Sequence, residues 1–403
     1  MQVFNAKEGT VETREQAVYA RRTTCRGCAS RLLRPILSLG EQYLVRFPKF
    51  PDFGLPKAPL DLVRCDECGL LQLGTSVYPD LLFREFWYRT SINDSMRAAM
   101  DDLVRHGLEY QRYGTWLDIG ANDGYLLSKV PHDFSKIAVE PAVNMKEQLE
   151  KVAGRVISDY FDGATLDRKC DVITSAAMFY DVEDPGTFLD GIYACLTKDG
   201  VWINQLNDAP TMLKTNSFDA LCHEHLCYYD VPTLKRMYEA HGLVLTDVRF
   251  NDVNGGSVRT VAKKKGEKAD ILGLPQASLE ECEGFARRIV KWRSVMTDLV
   301  RSLSTSGPLW ALGASTKGAV LMQYLECADA FEAVADRNPE KIGRHMVGSW
   351  LPIKSEADLR RERPRFGVVL PWAFRDEILS REKDLRGHGT TLVLPLPNIE
   401  FVI

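Results

Sequence analysis

The sequence predicts an α/β protein that combines a small cysteine-bearing N-terminal unit, a doubly wound sheet and a second α/β unit at the C-terminus. Three observations support this fold class. Apolar runs of strand length alternate with helical stretches from Trp116 onward. A glycine-containing loop follows that first strand, and the alternation restarts at Leu309 after a long helix. A chain of 403 residues with 45% hydrophobic residues can form two or three cores.

The composition argues against nucleic acid or a membrane as the partner. The 51 basic and 55 acidic residues leave a net charge of -4, which gives no overall attraction to polyanions. Residues 1–8 lack the apolar core of a signal peptide, and no apolar run reaches the roughly 18 residues of a membrane span. We therefore expect a cytoplasmic protein, by default a monomer. In that reducing compartment the ten cysteines are expected to be metal ligands or buried thiols.

Two C-x-x-C pairs predict a zinc site in the N-terminal unit. Four thiolates can surround one ion tetrahedrally, which leaves no open position for catalysis and makes the metal structural. No βαβ pattern surrounds either pair, which argues against a redox role. The pairs are separated by 36 residues, and residues 47–54 in this stretch are rich in proline and aromatic side chains, so we expect a functional loop there. The predicted ligands are Cys25, Cys28, Cys65 and Cys68.

Hydrophobic periodicity predicts the elements that follow. Residues from about 80 to 112 are predicted to be helical because apolar side chains recur there at helical intervals. These side chains are Met96, Met100, Leu103 and Leu108. The helix leads into the strand at Trp116, and further buried strands are predicted over 172–175 and 200–206. This alternation is typical of a parallel sheet with helices on both faces.

The second half of the chain first completes that sheet and then begins another. Two β-rich runs, 244–250 and 257–263, flank a turn-forming segment and predict a hairpin at the sheet edge. Apolar residues spaced by three and four predict one amphipathic helix over 277–304, which we expect to join two domains. The strands predicted beyond it are 309–314, 333–336, 367–370 and 391–394.

The loop after the strand at Trp116 has the character of a cofactor site. Dinucleotide sites bring glycine backbone against a pyrophosphate, but here Asp118 and Asp123 would repel phosphate. A cationic ligand such as S-adenosylmethionine would be attracted, and Glu140 can accept hydrogen bonds from its ribose hydroxyls. The pattern resembles the glycine-rich loop and strand-end acid of class I methyltransferases. The predicted cofactor-binding residues are Asp118, Gly120, Asn122, Gly124, Glu140 and Met178.

Residues 221–230 concentrate two of the seven histidines, an acid and two tyrosines. Three interpretations are open. His223 and His225 are two positions apart, which suits metal ligands on a strand, although no third ligand is nearby. The group can also simply fill the edge of a domain. Acid–base chemistry is the third interpretation, because histidine titrates near neutral pH and the adjacent Glu224 can orient it.

Six sequence blocks together resemble one family over nearly the whole chain. They are Cys25/Cys28 with Cys65/Cys68, 86–93, 118–125, 223–229, 254–259 and 313–318. In this order they resemble the sugar C-methyltransferases that act on nucleotide-linked 4-keto-6-deoxyhexoses. The resemblance implies a zinc-binding N-terminal domain over 1–80, a class I methyltransferase domain over 81–270 and a Rossmann-like domain over 271–403. It also implies a nucleotide-linked keto-deoxysugar as the substrate.

The resemblance also implies roles for individual residues. His225 is the expected base, with Glu224 orienting it or binding a sugar hydroxyl and Tyr88 donating to an enolate oxygen. This agrees with the chemistry, because a ketone at C4 acidifies the hydrogens at C3 and C5. Methylation is expected at C3, or less readily at C5. The expected substrate-binding residues are Tyr228, Tyr229, Asn207, Asn254, Ser257, Arg259, Ser315 and Lys317.

Other functions remain open at the level of sequence. The loop 313–318 with Lys317 suits a diphosphate, but a glycine after a strand is often only a turn. O- or N-methylation of a sugar or small metabolite would need no carbanion. A binding module without catalysis, or a metal-dependent hydrolase built on His223 and His225, are the further alternatives. The sequence does not fix the nucleotide, which we expect to be dTDP, GDP or CDP.

Overall fold

The structure is a computed structural model that describes residues 18–403. Residues 1–8, from which we predicted in part a cytoplasmic protein, lie outside this range. Residues 18–403 form four sheets, of which two belong to the N-terminal unit and one to each α/β unit. No helix in this described range has the length and apolar character needed to cross a bilayer.

The N-terminal unit is an antiparallel sheet that lies next to the two cysteine pairs. Its strands are β1 Tyr19–Arg21, β2 Leu33–Tyr43, β3 Lys57–Cys65, β4 Leu71–Leu73 and β5 Thr75–Val77. β2, β3 and β4 pair side by side, while β1 and β5 form a separate two-stranded ribbon. Each cysteine pair lies at the end of a strand or in the adjoining turn.

The loop predicted between the cysteine pairs is mostly a hairpin, so that expectation is wrong in part. β2 and β3 occupy much of the stretch, and the residues outside them are 29–32 and the connecting loop 44–56. The strands form because their apolar side chains, such as Leu60 and Leu62, pack into the core. The proline- and aromatic-rich residues 47–54 do lie in the connecting loop, and the side chain of Phe47 is buried.

The helix predicted over 80–112 is interrupted, which corrects that prediction. α1 covers Asp80–Phe83 and α2 covers Asp94–Tyr110, with one 3-10 turn at Thr90–Ile92 between them. Beyond that turn, the intervening backbone also bonds to distant parts of the chain. The amide of Thr90, for example, donates to Asn122 Oδ1 over 3.0 Å. Tertiary contacts therefore override the local helical pattern here.

The central sheet confirms the predicted alternation. In chain order the next strands are β6 Gly114–Ile119, β7 Phe134–Val139, β8 Arg155–Ile157, β9 Cys170–Ala176, β10 Leu196–Asn207, β11 Cys227–Tyr228, β12 Val244–Asn251 and β13 Ser257–Lys263. All except β11 form one sheet in the order β12-β13-β10-β9-β6-β7-β8. Only β13 runs antiparallel to its neighbours. β12 and β13 are the predicted hairpin at the sheet edge.

Short helices with well-defined N-termini connect these strands. They are α3 Tyr125–Lys129, α4 Lys146–Leu149, α5 Pro185–Cys195, α6 Ala209–Lys214 and α7 Val231–Ala240. Asp184, Asp208 and Asp230 cap α5, α6 and α7, and each is followed by a proline in the first turn. β6 and β9 are mostly buried, as strands covered on both faces must be.

The C-terminal unit begins with the predicted long helix and is a second parallel sheet. Its elements are α8 Leu279–Ser306, β14 Leu309–Leu312, α9 Thr316–Leu325, β15 Ala333–Asp336, β16 Ile353–Ser355, α10 Glu356–Glu362, β17 Phe366–Val369, α11 Arg375–Arg381, α12 Lys383–Gly387, β18 Thr391–Leu394 and β19 Glu400–Val402. The sheet order is β16-β15-β14-β17-β18-β19, with β19 alone antiparallel. Ser278 and Glu281 form a capping box that starts α8.

The three units share contacts rather than lying apart. β11 leaves the central unit and pairs with β4 of the N-terminal sheet. One continuous core of buried apolar side chains includes Leu60, Trp202 and Trp310, which come from the three different units. A cavity can therefore be lined by all three units at once.

Candidate active site

A cavity of about 490 Å³ lies where the three units meet. Its wall includes Phe47 from the N-terminal unit, Asp118 and Glu140 from the central unit, and Lys317 and Trp372 from the C-terminal unit. The size is typical of small-molecule sites. The carboxyl ends of β6, β7 and β9 also reach this wall, which is the usual ligand edge of a parallel sheet.

The four predicted zinc ligands form a compact cluster outside this cavity. All four Sγ atoms lie within 4.8 Å of one another. The Cys25–Cys68 and Cys28–Cys65 Sγ distances are both 3.6 Å. Tetrahedral zinc with Zn–S bonds of about 2.3 Å would hold its sulfurs about 3.8 Å apart, so the cluster fits this ion.

Neighbouring donors also suit a thiolate at this cluster. The Gln72 side-chain amide donates to Cys25 Sγ over 3.1 Å, and the Gly27 amide donates to the same sulfur over 3.3 Å. Such N–H donors stabilise the negative charge of metal-bound sulfur. Within residues 18–403, this is the one group of three or more histidine, cysteine or acidic side chains arranged to hold a metal, so His223 and His225 form no such group.

The cofactor loop has the tight turn that its glycines predict. Gly120, Asn122 and Gly124 all have positive φ, at +71°, +50° and +78°. A side chain at Gly120 would also come within 3.0 Å of Met178, so this position requires glycine. Glu140 accepts from the amides of Asn122 and Ala142 over 2.8 and 2.9 Å. These two bonds fix its carboxylate at the end of β7, on the cavity wall.

The acids of this loop make one side of the cavity favourable for a cationic ligand. Asp118 is buried and accepts from Thr174 Oγ1 over 2.6 Å. Burial raises the pKa of Asp118 to about 7 and also raises the pKa of Glu140. A positive charge placed beside these carboxylates would offset that cost. The residues therefore fit S-adenosylmethionine.

His225 lies on the same wall in a defined tautomeric state. Its Nδ1 is 2.9 Å from the Ala220 carbonyl oxygen, which can only accept, so Nδ1 carries the proton. The Nε2 lone pair is then available, and no partner for it occurs within the described range. Burial, followed by the positive charge of Lys317, lowers the pKa of His225 to about 3. The Tyr180 ring packs against the imidazole with 4.3 Å between ring centres.

Two carboxylic acids near His225 lack hydrogen-bond partners for one oxygen each. They are Glu224, through Oε2, and Asp181, through Oδ1. Both side chains line the cavity. Burial raises the pKa of each group, and the charge of Glu224 raises the pKa of Asp181 further. Unsatisfied polar atoms at a cavity wall are free to bind a polar ligand.

His223, by contrast, faces away from this chemistry. Its Nε2 is 3.0 Å from the carbonyl oxygen of Ala58, and its side chain is buried against the N-terminal sheet. Burial lowers the pKa of His223 to about 4. This histidine therefore joins two units, and of the two predicted histidines only His225 lines the cavity.

The C-terminal side of the cavity carries the cationic groups. Lys317 lies in the first turn of α9, and its Nζ is 3.4 Å from the Asn254 carbonyl oxygen. Ser315 caps the same helix by accepting from the Gly318 amide. Trp372 donates from Nε1 to Asp219 Oδ2 over 2.9 Å. All of these residues except Gly318 line the cavity.

The structure brings most, but not all, of the predicted site residues to this wall. Those that line the cavity are His225, Glu224, Tyr88, Asp118, Gly120, Asn122, Glu140, Met178, Asn207, Asn254, Ser257, Ser315 and Lys317. Four others do not reach it: Gly124, Tyr228, Tyr229 and Arg259.

Each of these four has another environment. Gly124 forms the turn before α3, and the Tyr228 hydroxyl donates to the Ala220 carbonyl oxygen over 3.4 Å. Tyr229 stacks on Phe179 with 5.1 Å between ring centres. Arg259 pairs with Asp102 over 2.8 Å. A direct substrate contact for Tyr229 or Arg259 would thus need a rearrangement of packed groups.

Sequence reasoning missed several residues of the wall, including Asp181, Asp219, Lys341 and Trp372. Asp181 and Lys341 share a signal that was available, because each closely follows a parallel strand. Charged residues just beyond the carboxyl end of such strands commonly face ligands. Asp219 and Trp372 lie in short turns, where the sequence pattern carried no comparable signal.

Family comparisons agree with this geometry. A model described as "Putative zinc binding domain" matches residues 25–83, a "Methyltransferase domain" matches 92–248, and a "C-methyltransferase C-terminal domain" matches 252–397. C-methyltransferase NovU of Streptomyces niveus is 27% identical over 366 residues, which cover 84% of this chain and 86% of NovU. The three models follow one another along residues 25–397 and together agree with a C-methyltransferase of three domains. This C-methyltransferase depends on S-adenosylmethionine, and its cysteine cluster is a structural zinc site.

Solved structures similar to this C-methyltransferase cover less than half of the chain. A S-adenosylmethionine-dependent methyltransferase from Clostridium acetobutylicum ATCC 824 is 14% identical with a TM-score of 0.36, covering 44% of this chain and 94% of its own. The Burkholderia thailandensis 1,6-didemethyltoxoflavin-N1-methyltransferase is 15% identical with a TM-score of 0.33. The match covers 42% of this chain and 78% of that enzyme's chain.

Substitution of Glu140 tests the cofactor side of the C-methyltransferase. Glu140→Gln is expected to weaken binding of S-adenosylhomocysteine by about 10- to 100-fold, because it removes a charged acceptor and turns an amide donor toward a backbone N–H. Isothermal titration calorimetry measures this. The matched control is Glu150→Gln, an exposed acid of the same unit that does not line the cavity. Equal affinities for the Glu140 variant and wild type would place the cofactor elsewhere.

Proposed function

We propose that this C-methyltransferase methylates C3 of a nucleotide-diphosphate-linked 4-keto-6-deoxy sugar, with C5 as the less favoured position. The observation that carries the proposal is the state of His225. Its ring is held neutral with Nδ1 bonded to Ala220, and Nε2 is an available base in the cavity that the cofactor loop also lines. Carbon methylation requires such a base, because a proton must leave the carbon before it becomes nucleophilic.

The chain's own residues account for the steps of this reaction. His225 Nε2 takes the proton from the carbon beside the ketone, and the electron pair moves onto the ketone oxygen as an enolate. Tyr88 donates a hydrogen bond to that oxygen, and Glu224 binds a sugar hydroxyl or orients the ring. The resulting carbon nucleophile would take the methyl group that bound S-adenosylmethionine supplies, and the carbon–sulfur bond would break to release the neutral thioether S-adenosylhomocysteine. The proton on His225 then returns to solvent.

The distribution of charge along the cavity supports this substrate class. Asp118 and Glu140 lie on the cofactor side, where a sulfonium and an amino group would be attracted. Lys317 lies on the opposite unit, with the Ser315 cap and the start of α9. An ammonium at a helix start suits a diphosphate. One cavity can thus accept a cationic donor at one end and an anionic sugar nucleotide at the other.

Incubation with dTDP-, GDP- and CDP-linked 4-keto-6-deoxy sugars and methyl-labelled donor tests the proposal. We expect one nucleotide series to gain a carbon-bound methyl group, located by NMR, with loss of deuterium placed beforehand at the methylated carbon. Retention of deuterium at both C3 and C5 in a methylated product would instead establish O- or N-methylation. Binding of S-adenosylhomocysteine without turnover of any candidate would contradict the proposal and favour a binding module.

A further inference from the structure

A lysine on the C-terminal side of the cavity takes no part in the steps above. Lys341 follows β15 by five residues, lines the cavity and is only 8% exposed. Its neighbours in the wall include Phe47 of the N-terminal unit, whose ring centre is 4.6 Å from Nζ. A lysine is seldom buried to this degree unless its charge is matched, so its surroundings carry information about a ligand.

The charge of Lys341 is only partly matched by the protein. Nζ donates to the Ala314 carbonyl oxygen over 2.6 Å. The nearest acid is Asp336, whose Oδ2 is 3.9 Å away, which is an ion pair without a hydrogen bond. Asp336 also accepts from the Asn338 amide through Oδ1 over 2.8 Å. An ammonium has three donors, and one of them has a hydrogen-bond acceptor among residues 18–403.

Lys341 and Lys317 are both linked to the short loop 313–315. Lys341 bonds to Ala314, the residue before the Ser315 cap, and Lys317 is the second residue of the helix that this cap begins. In the described part of the chain they are the two lysine or arginine side chains that line the cavity. Two lysines in one cavity suit a ligand that carries two negative groups.

We propose that Lys341 binds the diphosphate of the nucleotide-linked substrate jointly with Lys317, through the hydrogens that Ala314 leaves unused. The inference rests on the proposed function and specifies which residues recognise its anionic part. A bound diphosphate would supply the negative charge and the acceptors that the buried Lys341 ammonium lacks. The gain in affinity therefore exceeds that of a surface lysine, whose charge is already solvated.

Two other roles make different predictions. A purely structural tie between the loop at Ala314 and β15 would affect stability but not affinity. A contact with the carboxylate of the cofactor would weaken binding of S-adenosylhomocysteine instead of the nucleotide. Titrating wild type and the lysine variants with nucleoside diphosphates and with S-adenosylhomocysteine distinguishes both roles from the proposal.

The test uses the full-length protein with Lys341→Met, which keeps an unbranched side chain one atom shorter and removes the charge. Isothermal titration calorimetry measures binding of dTDP, GDP and CDP, each beside its nucleoside, and of S-adenosylhomocysteine. We expect the diphosphate that binds wild type to bind Lys341→Met about 10- to 100-fold more weakly. Nucleoside and S-adenosylhomocysteine affinities should change less than threefold. The control Lys383→Met removes an exposed charge from α12 of the same unit and should change none of them.

Unchanged diphosphate affinity in Lys341→Met, with binding to wild type established, overturns this inference and leaves the proposed function standing. If no diphosphate binds wild type, both fail. If Lys341→Met does not fold, wild type is treated with an acetylating reagent in the presence and absence of the diphosphate. Mass spectrometry then measures how far each lysine is acetylated. Bound diphosphate should then protect Lys341 and Lys317 but not Lys383. Protection of Lys317 alone would overturn the role of Lys341.

Discussion

Replacing His225 by alanine is expected to slow methyl transfer by about a hundred- to ten-thousand-fold, the usual contribution of a general base. The reason is that the neutral imidazole is the base the proposed reaction requires, and its neighbours offer no ready substitute. Burial raises the pKa of both Glu224 and Asp181, so these acids retain their protons more readily than exposed carboxyls. Turnover with methyl-labelled donor and the keto sugar found by the nucleotide panel measures the effect.

Exchange with heavy water separates this role from a general loss of structure. Without donor, wild type should incorporate solvent deuterium at the carbon next to the ketone, whereas His225→Ala should not. Affinity for S-adenosylhomocysteine should be retained. The control His388→Ala alters an exposed histidine of the C-terminal unit and should leave exchange and turnover unchanged. Undiminished exchange in His225→Ala would remove this residue from the role of base.

The dependence of stability on pH provides a further signature of the same histidine. Burial and Lys317 lower the pKa of His225 to about 3, compared with about 6.5 for an exposed histidine. Between these values the unfolded chain binds more protons than the folded one, so stability is lost as pH falls below about 6.5. His223 contributes in the same direction. Wild type should therefore lose more thermal stability than His225→Ala between pH 7 and pH 5.

Local patterns were sufficient for most of the fold. Strands such as β6 and β9 each have a short apolar centre, and α8 has apolar residues every three or four positions, so their identity follows from short stretches of chain. The two cysteine pairs and the acidic glycine loop are likewise local. Thirteen of the predicted site residues line one cavity wall. The cofactor loop and Glu140 do so because loops after parallel strands converge at one sheet edge, whereas residues such as His225 and Tyr88 were expected from the family resemblance.

The errors occur where contacts distant in sequence decide the structure. The stretch from Arg84 to Asn93 has helical character, but Arg337 donates to the Ile92 carbonyl oxygen and to Asn93 Oδ1, and Asn338 donates to the Trp87 carbonyl oxygen. Those partners lie 244 to 251 positions away. No window along the chain contains both sides of such a contact.

The same limit explains why the contact between Lys341 and Phe47 could not be predicted. Lys341 follows a parallel strand and Phe47 lies in the loop expected to be functional, but only the docking of the three units places both on one wall. The segment 84–93 joins this docking, because Arg89 pairs with Glu340 over 2.9 Å while the Thr90 amide bonds to the cofactor loop. The cofactor and substrate sides of the cavity are therefore connected through one segment of backbone.

Replacing Cys65 by serine is expected to have the largest effect on stability of any single change in the chain. Cys65 is fully buried at the end of β3, and serine cannot supply the thiolate that completes the tetrad. Because structural zinc contributes directly to folding, we expect zinc content to fall well below one ion per chain and the N-terminal unit to melt separately. Elemental analysis and thermal unfolding followed by circular dichroism measure both effects.

We expect loss of zinc to reduce catalytic activity, although the cysteine cluster lies outside the cavity. β11 pairs with β4, and His223 bonds to Ala58, so the loop that carries His225 is fastened to the N-terminal sheet. The matched control is Cys282→Ser, which alters an equally buried cysteine of α8 outside the tetrad and should keep its zinc. A Cys65→Ser protein with one bound zinc and the melting temperature of wild type would contradict the assignment. If Cys65→Ser cannot be produced, a mercurial reagent can displace zinc from wild type. We expect the release of one zinc ion per chain to coincide with the loss of turnover, because the four thiolates hold the zinc on which the fold depends.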